Sequence, residues 1–189
     1  LFALLGVNGA GKTTTLRMLS GLLQPTGGEA DILGFRLTQQ QHEIKRRNNL
    51  SPQETAVAPN LTVRENLELI AGIYGASRRE AAQRAAETIA EFHLGEVERS
   101  RAKTLSGGWQ RRLSIAMALI SQPQLVFLDE PTLGLDVLAR RELWQVIRSL
   151  RGRVTVILTT QLSRGRGRNG LCKALFRRTL FLCDGKSAD

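Results

Sequence analysis

The eight residues Gly6-Val7-Asn8-Gly9-Ala10-Gly11-Lys12-Thr13 constrain this chain more than any other stretch. They fit G-x-x-x-x-G-K-[ST] and stand between an apolar run, "LFALL", that reads as a buried strand, and a helix that follows. Glycines let the backbone turn tightly enough for several N–H groups to converge on phosphate oxygens. A helix starting there aims the positive end of its dipole at the same point. Lys12 has the reach for the β- and γ-phosphates of a nucleoside triphosphate, and Thr13 has the hydroxyl for Mg2+. The pattern predicts Gly6, Asn8, Gly9, Ala10, Gly11, Lys12, Thr13 and Thr14 as the nucleotide-binding set.

Strand-like and helix-like runs alternate along the rest of the chain. "LQPTGGEADILG" is turn-rich with a short strand. "TVRENLELIAGIY" and "SRREAAQRAAETIAEF" read as helices, opened by the capping boxes Thr62 with Glu65 and Ser77 with Glu80. The alanines and mixed charges of the second predict a partly exposed, semi-independent helical layer. "SGGWQRRLSIAMALI" opens with glycines and continues as an amphipathic helix. "LVFLDE" is a continuous apolar run ended by two acids, as parallel strands read. "VLARRELWQVIRSL" places Leu143, Val146, Ile147 and Leu150 on one helical face, with Asp136 positioned as its cap. "VTVILTT" is another buried strand. The alternation predicts an α/β fold, a mostly parallel sheet flanked by helices.

A phosphate loop of this kind needs a carboxylate at the tip of a neighbouring strand to hold Mg2+. Asp129 is placed for that, and Glu130 is placed to polarise an attacking water as general base. Taken alone, two acids at a strand end read as solvated carboxylates; beside Lys12 and Thr13 they read as catalytic.

The order of motifs also resembles a known family. "LSGGWQRRLSIAMALI" ahead of "LVFLDEPTLGLD" is similar to the ATP-binding cassette (ABC) ATPases. Leu105-Ser106-Gly107-Gly108 resembles their signature motif, Leu133-Gly134-Leu135-Asp136 their D-loop, and Gln53 in "LSPQETAVAPNLTVRENL" their Q-loop glutamine. The resemblance covers nearly the whole chain up to Thr160. "TVRENLELIAGIYG" and "EPTLGLDVLARRELW" resemble the exporter-type branch that serves separate permeases. The resemblance implies a P-loop NTPase fold with an ABC-type helical subdomain, and ATP and Mg2+ as cofactors. It implies Thr13, Gln53 and Asp129 around the metal and Glu130 as the catalytic base. Ser106, Gly107 and Gly108 would act on the ATP of a second ABC ATPase domain in a head-to-tail dimer, with Asp136 in the D-loop. A transmembrane permease is the other implied partner. Trp109 departs from the family, which commonly has glutamine or methionine there; its plain reading is an aromatic packed beside the turn. The family's adenine-stacking aromatic would precede Leu1. Its switch histidine would stand at position 161, where this chain has Gln161.

The formal charge of +10 ordinarily points to nucleic acid or an anionic membrane. Of 27 basic residues, six (Arg164, Arg166, Arg168, Lys173, Arg177 and Arg178) fall between Gln161 and Arg178, where no acid occurs. The remaining 21 stand against 17 acids, an ordinary balance, so nucleic acid is not the partner the charge as a whole favours. Three readings of this segment stand open. It is a basic tail, a divergent loop after a genuine glutamine, or a frame-shifted stretch. Back-translation supports the third: with suitable synonymous codons, deleting one base at position 161 yields histidine-tyrosine-leucine-glutamate and an acidic helix. A compensating shift near 175–178 would then restore "TLFLCDGKSAD", which resembles the family's next strand and turn.

The expected organisation is an ABC ATPase domain over 1–160, its helical subdomain about 55–120, an atypical basic segment over 161–178, and a resumption of the domain over 179–189. The chain opens without methionine inside an apolar run, which reads as a start partway into the domain. No apolar stretch approaches the roughly 18 residues that crossing a bilayer takes. Cys172 and Cys183 form no metal-ligand pattern and fit a reducing compartment. Together these predict a peripheral subunit on the cytoplasmic face of the membrane. The expected function is to bind and hydrolyse ATP and so power a permease, with export as the expected direction. The alternatives are an impaired or fragmentary ABC ATPase, or an ABC ATPase acting on nucleic acid or ribosomes. Between Lys12 and Ser106 there is no room for the long coiled coil of the DNA-maintenance members, and one cassette stands here where ribosome-associated members carry two.

Overall fold

The computed structural model describes the backbone of residues 1–161 and 178–181 and the side chains of residues 1–160. In chain order the elements are β1 (Phe2–Gly6), α1 (Lys12–Leu19), β2 (Asp31–Ile32), β3 (Phe35–Arg36), α2 (Gln41–Arg47), β4 (Asn48–Ser51), α3 (Val63–Ile73) and α4 (Arg78–Glu91). Then follow α5 (Gly107–Leu119), β5 (Leu125–Leu128), α6 (Val137–Ser149), β6 (Thr155–Gln161) and β7 (Arg178–Phe181). They fall into two units. The first comprises Leu1–Leu50, Gln124–Pro131 and Arg153–Asp189; the second comprises Ser51–Pro123 and Thr132–Gly152.

The first unit is built on a sheet of order β4-β5-β6-β1-β7, in which β5–β6, β6–β1 and β1–β7 run parallel. Consecutive apolar residues make these strands because both faces are covered: all four residues of β5 are buried, as are the last four of β1. Leu16 of α1 and Ile44 of α2 close a core with Ile32, Leu37, Leu125 and Phe127, so helices seal one face of the sheet. Phe127 is fully enclosed, and truncating such a residue to alanine costs about 3–5 kcal/mol. Parallel strands bring their C-terminal ends to one edge, where α/β sheets bind ligands. The register sets Leu128 opposite Leu158 and Gly6 opposite Gln161, so the ends of β1, β5 and β6 share that edge.

The expected α/β fold with a mostly parallel sheet is present. β3, α2 and β4 escape a reading by periodicity, since α2 buries only Ile44 and β4, "NNLS", is polar in composition. Asn48 is instead buried by donating from its side chain to the Ile44 carbonyl at 2.7 Å, which closes α2 as the chain enters β4. The strand expected in "TLFLC" stands at Arg178–Phe181, paired with β1 from Phe2↔Arg178 to Leu5↔Phe181. Residues 162–177, on which the frame-shift reading falls, lie outside the described residues.

In the second unit both capping boxes are formed. Thr62 accepts from the Glu65 N–H at 3.2 Å while the Thr62 N–H donates to the Glu65 carboxylate at 2.7 Å. Ser77 and Glu80 repeat the exchange at 3.4 and 2.8 Å. Asn66, fully buried, ties down the loop before α3. It accepts from the Ala58 N–H at 2.8 Å and donates to the carbonyls of Ala58, Leu61 and Thr62. The expectation of an amphipathic α5 is corrected: residues Arg111 to Ala118 are all buried. Both arginines of the helix are hydrogen-bonded inside the unit. Arg111 donates to the backbone carbonyls of Pro52 and Gln53, and Arg112 bonds Glu142 at 2.6 Å while lying 4.6 Å over the Trp109 ring. Trp109 thus packs beside the signature turn, as its plain reading predicts. In α6, Leu143, Val146 and Ile147 are buried along one face, and Asp136 caps the helix by accepting from the Ala139 N–H at 2.9 Å.

Candidate functional site

The phosphate loop leaves β1 at Gly6 and enters α1 at Lys12. Gly9 and Gly11 hold φ of 85° and 77°, the left-handed region that side chains other than glycine's disfavour. A Cβ at either position would meet nothing within 4 Å, so backbone conformation rather than crowding requires glycine there. Gly11 is the N-cap of α1 and offers no side-chain cap, which leaves the first-turn N–H groups without a side-chain competitor from that position. Asn8 and Thr14 are exposed; Ala10 and Thr13 are partly buried. Lys12 folds back into the loop. Its ammonium donates to the carbonyls of Gly6 and Val7 at 3.1 and 3.0 Å and pairs with the Glu130 carboxylate at 3.4 Å.

The two acids follow β5 directly. Asp129 and Glu130 are 2% and 7% exposed, too little for a pair of solvated surface carboxylates. Glu130 has φ of 48°, which for a residue with a side chain marks local strain and recurs at functional sites. Thr159 of β6, fully buried, bridges the pair: its hydroxyl accepts from the Glu130 N–H at 2.8 Å and donates to Asp129 Oδ1 at 2.6 Å. Sequence reading passed over Thr159 as part of an apolar strand. The available signal was a hydroxyl inside "VTVILTT", because a buried polar group needs a partner. Gln161 ends β6, with its backbone in register with Gly6.

The remaining expected residues belong to the second unit. Ser106 is the N-cap of α5 and accepts from the Trp109 N–H at 3.5 Å, with Gly107 and Gly108 as the first helical residues. Neither glycine has a positive φ. A Cβ on Gly108 would sit 3.1 Å from the Ala139 Cβ, whereas one on Gly107 would meet nothing within 4 Å. Gln53 is exposed, and its backbone carbonyl accepts from Arg111 at 3.1 Å. Lys12, Asp129 and Glu130 are therefore brought together within the first unit, and Ser106, Gly107, Gly108, Gln53 and Asp136 are carried by the second.

The donor set suits Mg2+. Within the first unit, the Thr13 hydroxyl and the Asp129 carboxylate offer hard oxygen donors. They are few, as for an ion that keeps waters and takes the rest of its shell from phosphates. Asp129 is enclosed and already oriented by a hydrogen bond, as ligating carboxylates are.

Residues 1–133 match the family model described as ABC transporter. The chain is 44% identical over 162 residues to the daunorubicin/doxorubicin resistance ATP-binding protein DrrA of Streptomyces peucetius, covering 85% of this chain and 49% of that protein. It is 41% identical over 157 residues to the phospholipid-transporting ATPase ABCA3 of Homo sapiens, covering 83% of this chain and 9% of that protein. The chain thus spans half or less of the length of these relatives. Among solved structures it is similar to the dimeric structure of a post-hydrolysis state of an ATP-binding cassette bound to ADP and Pi. That likeness has a TM-score of 0.82 and 27% sequence identity, and covers 100% of this chain and 83% of the other. With a family model spanning the phosphate loop, the signature turn and the paired acids, this chain belongs to the ABC transporter family.

Proposed function

We propose that this chain is the ATP-binding and ATP-hydrolysing part of a transporter, working as a head-to-tail pair and powering a separate permease that exports its cargo. The observation that carries this reading is the convergence of Lys12 and the buried Glu130 at the C-terminal edge of the parallel sheet. The ammonium of Lys12 bonds loop carbonyls and a carboxylate, all partners that a triphosphate would outcompete. Drawing Lys12 onto the β- and γ-phosphates would release Glu130 to accept the proton of an attacking water. The loop N–H groups and the start of α1 would hold the phosphates, and Thr13, Asp129 and Gln53 would hold Mg2+. When bound, the metal neutralises the charge developing on the transferred phosphoryl group. Gly107 supports the paired arrangement: among the described residues no neighbour requires a glycine there, as fits a turn approached by a ligand from outside. Closing and opening of the pair would bias the permease between two states through their different affinities for ATP. No helix among the described residues is long and apolar enough to cross a membrane, and a peripheral place beside the permease on its cytoplasmic face completes the proposal.

ATP turnover by the chain with its permease tests this. Glu130→Gln should retain ATP binding and lose about 100-fold or more in hydrolysis; turnover at the parental rate would remove Glu130 as base. Absence of a multi-spanning membrane protein on purification from the native membrane would remove the transport assignment.

A second reading concerns rate. Gln161 ends β6 beside the phosphate loop, and glutamine neither takes nor gives a proton as histidine does. Bound ATP would then be hydrolysed slowly. Gln161→His should raise turnover, and equal rates in the two proteins would sink the claim.

A further inference from the structure

We infer that Thr159 is a positioning residue of the catalytic centre, setting the metal-binding carboxylate and the catalytic base through one hydroxyl. The inference rests on the ATP and Mg2+ reading above. Thr159 has no exposed surface and stands in an apolar strand, between Leu158 and the end of β6, where valine would serve packing and strand preference equally well. The hydroxyl is therefore the feature to explain, and both of its functions are engaged. Its single proton goes to Asp129 Oδ1 at 2.6 Å. Its oxygen receives the Glu130 N–H at 2.8 Å.

The parallel register makes this bridge available. Leu128 lies opposite Leu158, so the next residue of each strand, Asp129 and Thr159, falls side by side. The donated proton fixes the rotation of the Asp129 carboxylate about its side-chain bond. The accepted N–H fixes the peptide that leads into Glu130, the residue held at φ of 48°. A backbone in that region persists only where its surroundings hold it. One side chain thus couples the orientation of the group for the metal to that of the group for the water. Hydrogen bonds that orient a ligating carboxylate change metal affinity by about 10–100-fold when removed.

The test compares Thr159→Val, which keeps the shape and removes the hydroxyl, with Thr159→Ser, which keeps the hydroxyl. ATP binding to the full chain is followed while MgCl2 is titrated, and again in EDTA. Thr159→Val should raise the half-saturating Mg2+ by about 10-fold and leave the metal-free ATP affinity unchanged. Thr159→Ser should follow the parent. Amide hydrogen exchange gives a readout independent of nucleotide: the Glu130 N–H should exchange faster in Thr159→Val and at the parental rate in Thr159→Ser. Thr159→Ala replaces the valine variant if that one does not fold, with the same expectations. Parental Mg2+ dependence in the hydroxyl-free variant overturns the inference, and so does a serine variant as impaired as valine. A parent chain whose ATP binding ignores Mg2+ overturns the nucleotide reading itself, and the inference with it.

Discussion

The chain starts two helices with glycine-rich turns, and the two are built on different principles. The turn into α1 uses glycines for their backbone freedom: Gly9 and Gly11 have positive φ, and neither is crowded. It presents an ammonium, Lys12, and its N-cap has no side chain to occupy the N–H groups. The turn into α5 has an ordinary backbone and a serine N-cap that already accepts one N–H. A Cβ on Gly108 would crowd Ala139 of α6, whereas one on Gly107 would meet nothing within 4 Å among the described residues. Both starts can meet an anion through the helix dipole, but only the first encloses one with its own cation. Under the proposed function the first is a complete phosphate site and the second is half of one, completed by a second chain.

The largest expected effect comes from taking the cation away from the first turn. Lys12→Ala should weaken ATP binding by the isolated chain about 100-fold, the loss of roughly 3 kcal/mol of charge-assisted bonding. Changes at Ser106 or Gly107 should leave that affinity untouched. Calorimetry on the isolated chain decides, and equal losses from both turns would erase the contrast between them.

A smaller effect separates the two glycines of the second turn. Gly108→Ala should lower the melting temperature, by about 1 kcal/mol of stability, because its methyl must displace Ala139. Gly107→Ala should leave stability level or raise it by up to about 1 kcal/mol, since alanine favours a helix and meets no neighbour. Both should reduce ATP-dependent pairing of two chains, followed by light scattering. If Gly107→Ala pairs as well as the parent, the turn faces no partner.

The smallest effect concerns the caps of α3 and α4. Bonds from the Thr62 backbone and hydroxyl hold Glu65 below the ordinary carboxylate range, and bonds from the Ser77 hydroxyl and backbone do the same for Glu80. A depressed folded-state pKa contributes stability above the unfolded pKa, near 4.3 for glutamate, and loses it as pH falls through the folded value. Thermal melts of Glu65→Gln and Glu80→Gln should therefore lie slightly below the parent at neutral pH and converge with it in acid. A difference that persists in acid would assign the effect to packing instead.

Local chemistry explains what could be read ahead of the structure. The phosphate loop, both capping boxes and the Asp136 cap are set by residues within a few positions of one another, and the strands β1, β5 and β6 by unbroken apolar runs. What escaped reading depends on partners distant in sequence. An amphipathic α5 would leave Arg111 on its polar side, but Arg111 is buried and donates to the carbonyls of Pro52 and Gln53, almost 60 positions away. Thr159 looked like one more strand residue, and its partners lie 30 positions away.

The amino-acid string was enough to single out the groups proposed to carry the chemistry: the glycine turn with Lys12 and Thr13, the acids Asp129 and Glu130, and the signature turn at Ser106. These depend on short-range spacing, and spacing is what a linear string records. How those groups are held came from packing between distant segments. Parallel pairing set β6 between β1 and β5, placed a buried hydroxyl across two carboxylate residues, and brought Lys12 within 3.4 Å of Glu130. The physical reason is that strand order and register are long-range facts, fixed when separate apolar runs bury one another. The orientation of a catalytic side chain follows from that burial.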